Sequence, residues 1–141
     1  MAATCTAVWA DGVRYLHTSG SGHALVTDSA APVGAGTAPS PMELVLHALV
    51  GCLGVDLSMI LAKMKQPVTG IEISVTSDRA EEHPKIYTDI RLHVKVHGAV
   101  SARKLERAIN LSQNTYCSVS AMLAGSAEIS HTWEIVDQVD R

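Results

Sequence analysis

The stretch SPMELVLHALVGCLGVDLSMILAKMK, residues 40–65, decides the fold. Ser40 suits an N-cap, Pro41 the first helical position, and Glu43 the acid of a capping box three residues after the cap. The pattern predicts a helix running to about Lys65. Lys63 and Lys65 lie at the negative end of its dipole, and Pro67 stops it. About 24 residues at 1.5 Å each make a rod of roughly 36 Å. Between Leu44 and Leu61 the helix is apolar on nearly all sides, which predicts a buried spine. His47 and Asp56 interrupt it, whereas a bilayer span wants about 20 residues free of such groups.

Working outward, the forty residues before this helix read as three short strands. They cover Thr6 to Ala10, Val13 to His17 and Ala24 to Thr27, with Asp11-Gly12 as a hairpin turn. Residues 29–40, with Pro32, Gly34, Gly36 and Pro39, read as a loop. These strands hold too few large apolar residues for a core of their own, so they must pack on the rest of the chain or on a second copy. After the helix, residues 71–76 and 90–97 alternate apolar and polar, predicting two long strands of a sheet with one wet face. The charged turn from Arg79 to Lys85 joins them. A second helix is expected from Ser101 through Leu111, and a third over Cys117 to Leu123 with Gly125 as its C′ residue. A last strand carries Ile129, Trp133 and Ile135. The fold class is α+β, with antiparallel sheets around one long helix, in a single domain over residues 1–141.

Composition removes several function classes. Of the 141 residues 47% are hydrophobic and 18% charged, which excludes intrinsic disorder. Eleven Lys and Arg against 14 Asp and Glu give a net charge of −3, and aromatics are only 4%. Neither phosphate neutralisation nor base stacking has the residues it needs, so no nucleic-acid partner is expected. Residues 1–10 lack the basic and apolar regions of a signal peptide, and no membrane association is expected. A soluble, cytoplasmic protein is the expectation.

Chemistry rests on the cysteines. There are three, at positions 5, 52 and 117, with no CxxC pair, which suits neither a disulfide-stapled domain nor a structural zinc site. Cys52 lies mid-helix between Gly51 and Gly54. Each glycine costs the helix about 1 kcal/mol relative to Ala, which suggests that something approaches its backbone closely there. Cys117 precedes the third helix, whose N-terminal N–H groups favour a thiolate. Each thiol also reads as a small buried hydrophobe, and Cys5 reads as incidental. Of the seven histidines, His93 and His97 share one strand face but stand about 13 Å apart, too far for one ion. No metal motif, GxSxG elbow or phosphate loop is present, and no cofactor is expected.

Ser40-Pro41-Met42-Glu43-Leu44 followed by Gly51-Cys52 and Asp56, then Tyr116-Cys117-Ser118-Val119, closely resembles the OsmC/Ohr family, best its YhfA-like branch. Thr76-Ser77-Asp78-Arg79 and His131-Thr132-Trp133-Glu134 fit as well, so the likeness runs from about Val8 to Val136. The resemblance implies an intertwined homodimer in which the N-terminal strands of one chain join the other, with the site at the interface. It also implies a thiol-dependent peroxidase that reduces organic hydroperoxides, with Cys52 as peroxidatic thiolate, Cys117 as resolving thiol and an external, lipoyl-type dithiol as reductant. A non-catalytic member binding a small apolar ligand at the interface is the alternative. In the peroxidase branch an acid ten residues before the first cysteine pairs with an N-terminal Arg. Here that position is Met42 and the acid is Glu43, about 180° around the helix from Cys52. Arg14 is the only Lys or Arg before Lys63. Asp56 falls one turn after Cys52, where a carboxylate raises a thiol pKa.

Overall fold

The structure is a computed structural model and describes residues 2–137. The expected domain, 1–141, also takes in residue 1 and residues 138–141, which lie outside the described residues. The chain forms two compact units that part between His47 and Ala48.

In the first unit, β1 (Cys5–Asp11), β2 (Arg14–Ser19) and β3 (Ala24–Thr27) form an antiparallel sheet in chain order. Gly12 takes a φ of 50° in the Asp-Gly turn, the left-handed geometry a tight hairpin requires. Trp9, Val8, Leu16, Leu25 and Val26 are all exposed, so among the described residues this sheet encloses no apolar core of its own. The following loop is organised by Asp28, whose residue is buried. Its carboxylate accepts from Ser29 N at 2.7 Å, Thr37 N at 3.0 Å and Thr37 Oγ1 at 2.6 Å. A Cβ at Gly34 would fall 2.4 Å from Asp28 Oδ1 and 2.3 Å from Ser29 O, so only glycine lets the loop close over this carboxylate. The Thr37 hydroxyl and N–H, joined by Ser29 and Ala35 N–H groups and opposed by burial, hold the Asp28 pKa down to about 2.

Helix α1 (Pro41–Lys63) begins with the expected capping box: Glu43 N donates to Ser40 Oγ at 3.1 Å, and Ser40 N to Glu43 Oε1 at 3.4 Å. It ends two residues short of Lys65, which takes a φ of 56° at the position glycine usually fills. The helix is not buried all round. Leu49, Leu53, Leu57 and Leu61, four residues apart, form one sealed stripe, while Val55 and Met59 are 59% and 57% exposed. By length and hydropathy alone α1 could cross a membrane. The sealed leucine stripe identifies it as a core helix with one apolar face left open.

The second unit carries a three-stranded sheet of β4 (Val68–Arg79), β5 (Tyr87–Gly98) and β6 (Glu128–Val136), with β5 central. β4 runs antiparallel to β5, as the alternation predicts, and β6 runs parallel to it. A parallel neighbour needs a crossover, and α2 (Ala102–Leu111) and α3 (Ser118–Leu123) supply it. Ile90, Leu92, Val94 and Val96 of β5 lie buried beside Ile71, Ile73 and Val75 of β4 on one sheet face. Leu105, Ala108 and Ile109 of α2 complete this core. The other face is wet, where His97 pairs with Glu72 at 2.8 Å and Arg91 with Asp78 at 2.9 Å. Glu106 of α2 ties the crossover to β6, meeting His131 Nε2 at 3.2 Å and accepting from Trp133 Nε1. Burial pushes this carboxyl up, but the bonds from His131 and Trp133 outweigh it and hold the pKa below its usual value.

Two outcomes follow from this packing. Leu53→Ala empties a fully buried position and should destabilise the fold by about 2–5 kcal/mol in chemical denaturation; a loss under about 1 kcal/mol would contradict the sealed stripe. Because the folded pKa of Asp28 is depressed, its stabilising contribution is full above about pH 4 and lost as the pH falls towards 2. The gap in melting temperature between wild type and Asp28→Asn should therefore narrow across that window. A constant gap would show that the carboxylate charge is not what the loop holds.

Candidate functional site

Three elements of the second unit place the site. Cys52 and Asp56 are one helical turn apart on α1, so their side chains share a face. Cys117 comes from the far end of the crossover. Between α2 and α3 the chain makes one π-helical turn, Ser112–Tyr116, closed by Cys117 N donating to Ser112 O at 2.7 Å. This turn was not expected from the sequence. It ends the run of α2 and sets Cys117 as N-cap of α3, its sulfur accepting from Ser120 N at 3.4 Å.

The Cys52 and Cys117 sulfurs and an Asp56 carboxylate oxygen all lie within 4.8 Å of one another. Both thiols are free. Cys52 is half-buried, whereas Cys117 is 2% exposed. Asp56 Oδ2 accepts from the buried Ser112 hydroxyl at 2.7 Å. Ser120 Oγ donates to Gln113 Oε1 at 2.9 Å, so the π turn and the start of α3 are cross-braced. Ser112, Gln113 and Ser120 were not singled out in the sequence, and no spacing rule points to them.

Electrostatics distinguishes Cys117 from the sequence expectation. Its N-cap place was expected to stabilise a thiolate. Burial instead pushes the thiol up to about 11; one N–H from Ser120 opposes the rise, and Cys52 and Asp56 add to it. Desolvation wins because α3 is only six residues long and the sulfur has lost nearly all contact with water.

Beside this cluster lies a cavity of about 460 Å³ lined by Asp56, Met59, Ile60, Lys63, Met64, Leu111 and Tyr116. Its walls are mainly apolar and Lys63 supplies one cation. Of the two glycines, Gly54 lies within van der Waals reach of Ile73, a Cβ there standing 3.6 Å from Ile73 Cδ1. At Gly51 a Cβ would meet nothing within 4 Å and at Gly54 it would make only an ordinary contact, so the close approach expected at these glycines is not found among the described residues.

The remaining candidates are used elsewhere. Arg14 is bound to Asp11 across its own hairpin, and Glu43 caps α1. Cys5 is exposed on β1. His93 meets Thr132 and Glu134 while His97 meets Glu72, so these two histidines serve different partners.

Comparison with known proteins adds the family. Residues 34–132 match the family described as OsmC-like protein. Protein YhfA of Escherichia coli K12 is 40% identical over 129 residues, spanning 91% of this chain and 94% of that protein. The crystal structure of a hypothetical protein from Aquifex aeolicus VF5 is 30% identical, with a TM-score of 0.88 over 98% of both chains. The organic hydroperoxide resistance protein OhrB of Bacillus subtilis is 19% identical and shares the fold, with a TM-score of 0.67 over 95% of this chain and 98% of its own. A fold, a family profile and close sequence identity thus agree, and the chain belongs to the OsmC family, in its YhfA-like branch.

Proposed function

We propose that the protein is a thiol-dependent peroxidase that reduces organic hydroperoxides in the reducing cytoplasm, as part of an oxidative-stress defence. The observation that carries this reading is the convergence of two free thiols, from separate elements, beside an apolar cavity. Their exposures fit the two roles: Cys52 can meet a peroxide, while the buried Cys117 can meet only what forms at Cys52. OhrB, which shares the fold, is named for organic hydroperoxide resistance.

In the proposed cycle the Cys52 thiolate attacks one peroxide oxygen. The O–O bond breaks, the alkoxide takes a proton to leave as the alcohol, and Cys52 becomes a sulfenic acid. The Cys117 sulfur then displaces the hydroxyl, its proton leaving with that oxygen as water, and a Cys52–Cys117 disulfide forms. Burial keeps Cys117 protonated until this step, and the Asp56 carboxylate within 4.8 Å is placed to accept the proton in transit. A dithiol of lipoyl type exchanges with the disulfide and returns both thiols. Met59, Ile60 and Leu111 favour an alkyl tail over hydrogen peroxide.

The assembly is proposed as a homodimer. The exposed apolar residues of β1–β3 and the open α1 face at Val55 and Met59 would be covered by the partner, residues 1–40 packing on the other chain. One observation favours the alternative of a non-catalytic protein that binds a small apolar ligand: Arg14 and Glu43 are engaged with Asp11 and Ser40 and do not form the acid–Arg pair of the peroxidase branch.

With cumene hydroperoxide and a dithiol reductant, Cys52→Ser should lower turnover by about 10³-fold or more. Cys117→Ser should stop after one turnover with a trappable sulfenic acid at Cys52. If wild type and Cys52→Ser consume peroxide equally slowly, the ligand-binding alternative replaces the enzyme. In sedimentation the wild type should have twice the mass of one chain, and Val55→Glu with Met59→Glu should shift it towards the monomer. A monomeric wild type would overturn the proposed assembly.

A further inference from the structure

We propose that the reduced chain binds one thiophilic divalent cation, of the zinc and cadmium class, through Cys52 Sγ, Cys117 Sγ and one carboxylate oxygen of Asp56. The three donors come from two separate elements and already lie within 4.8 Å of one another. A tetrahedral zinc ion at about 2.3 Å from sulfur wants sulfurs about 3.8 Å apart, so the cluster needs only a small closure to ligate. Two sulfurs select zinc or cadmium over magnesium or calcium, which prefer all-oxygen sites.

The carboxylate is set up as metal-bound carboxylates usually are. Ser112 Oγ donates to Asp56 Oδ2 at 2.7 Å, which fixes the side chain and leaves Oδ1 for the ion. Asp56 also lines the cavity of about 460 Å³, which gives a route in and room for water or a small thiol at the fourth position. On binding, the ion displaces the two thiol protons to solvent. No sequence spacing announces this site, because Cys117 arrives through the π turn and not through a CxxC motif.

The geometry stands without the peroxidase reading, but the two uses of the thiols exclude each other. Metal-bound sulfurs cannot attack a peroxide, and an oxidised pair cannot bind metal. The ion would therefore hold the reduced pair inactive and leave it on oxidation.

The test uses reduced, metal-free wild-type protein, zinc for calorimetry and bound-metal analysis, and cobalt as a spectroscopic probe. One zinc per chain is expected, with tetrahedral cobalt bands and sulfur-to-cobalt charge transfer. Oxidising the pair with diamide should abolish binding without any substitution. Asp56→Asn should weaken zinc binding by at least about 10-fold and Ser112→Ala by about 10-fold, while Cys5→Ser leaves it unchanged. Absence of stoichiometric zinc, binding that survives oxidation, or unchanged affinity in Asp56→Asn would overturn the proposal. Zinc binding by a protein that does not consume peroxide supports the site and removes only the peroxidase reading. Peroxide turnover untouched by saturating zinc, with no metal bound, removes only the site.

Discussion

Everything at the thiol cluster depends on the sealing of Leu49, Leu53, Leu57 and Leu61 in the core beside the β4–β6 sheet. Cys52 and Asp56 meet their partners across the fold, Asp56 accepting from Ser112 Oγ at 2.7 Å and Cys52 lying beside Cys117. Their position follows from the helix being locked in rotation by four leucines spaced one turn apart, each 1% exposed or less. Rotating α1 by one residue would carry the thiol and carboxylate about 100° away from Cys117. The apolar face that holds the fold together is thus also the device that aims the chemistry.

The second half of the site is aimed by polar groups. Glu106, held by His131 and Trp133, ties α2 to β6, and the π turn then adds one backbone hydrogen bond from Cys117 N to Ser112 O. Ser112 faces Asp56, so the turn that delivers the second sulfur also delivers the hydroxyl that orients the carboxylate. The result is a buried thiol pushed up to about 11 beside a half-buried one, an asymmetry that suits sequential roles better than interchangeable ones.

Much of this was legible from local rules. Ser40, Pro41 and Glu43 marked the start of α1, and strict alternation marked β4 and β5, because capping and pleat are set by near neighbours. What depends on distant residues was not legible. The leucine stripe is hidden in a helix apolar on nearly every side, and only packing chooses which face is sealed. Lys65 took the left-handed position that glycine usually holds, whereas Gly125 stands at the expected C′ position, directly after the Ala124 C-cap of α3, without a positive φ. The parallel placement of β6 follows from the crossover, not from its own residues. At the site, Cys52, Cys117 and Asp56 were each visible, but the π turn carries no sequence signal and with it Ser112 was missed. The thiolate expected at Cys117 failed because burial cannot be read from a short N-cap motif.

The proposed function requires Cys52 and Cys117 to act as one redox pair. The most direct measurement treats reduced protein with one equivalent of cumene hydroperoxide and maps its cysteines by non-reducing peptide mass spectrometry. The expected product is an intrachain Cys52–Cys117 peptide pair, with Cys5 still free to alkylate. Peroxide that persists while Cys52 and Cys117 both remain alkylatable would contradict it.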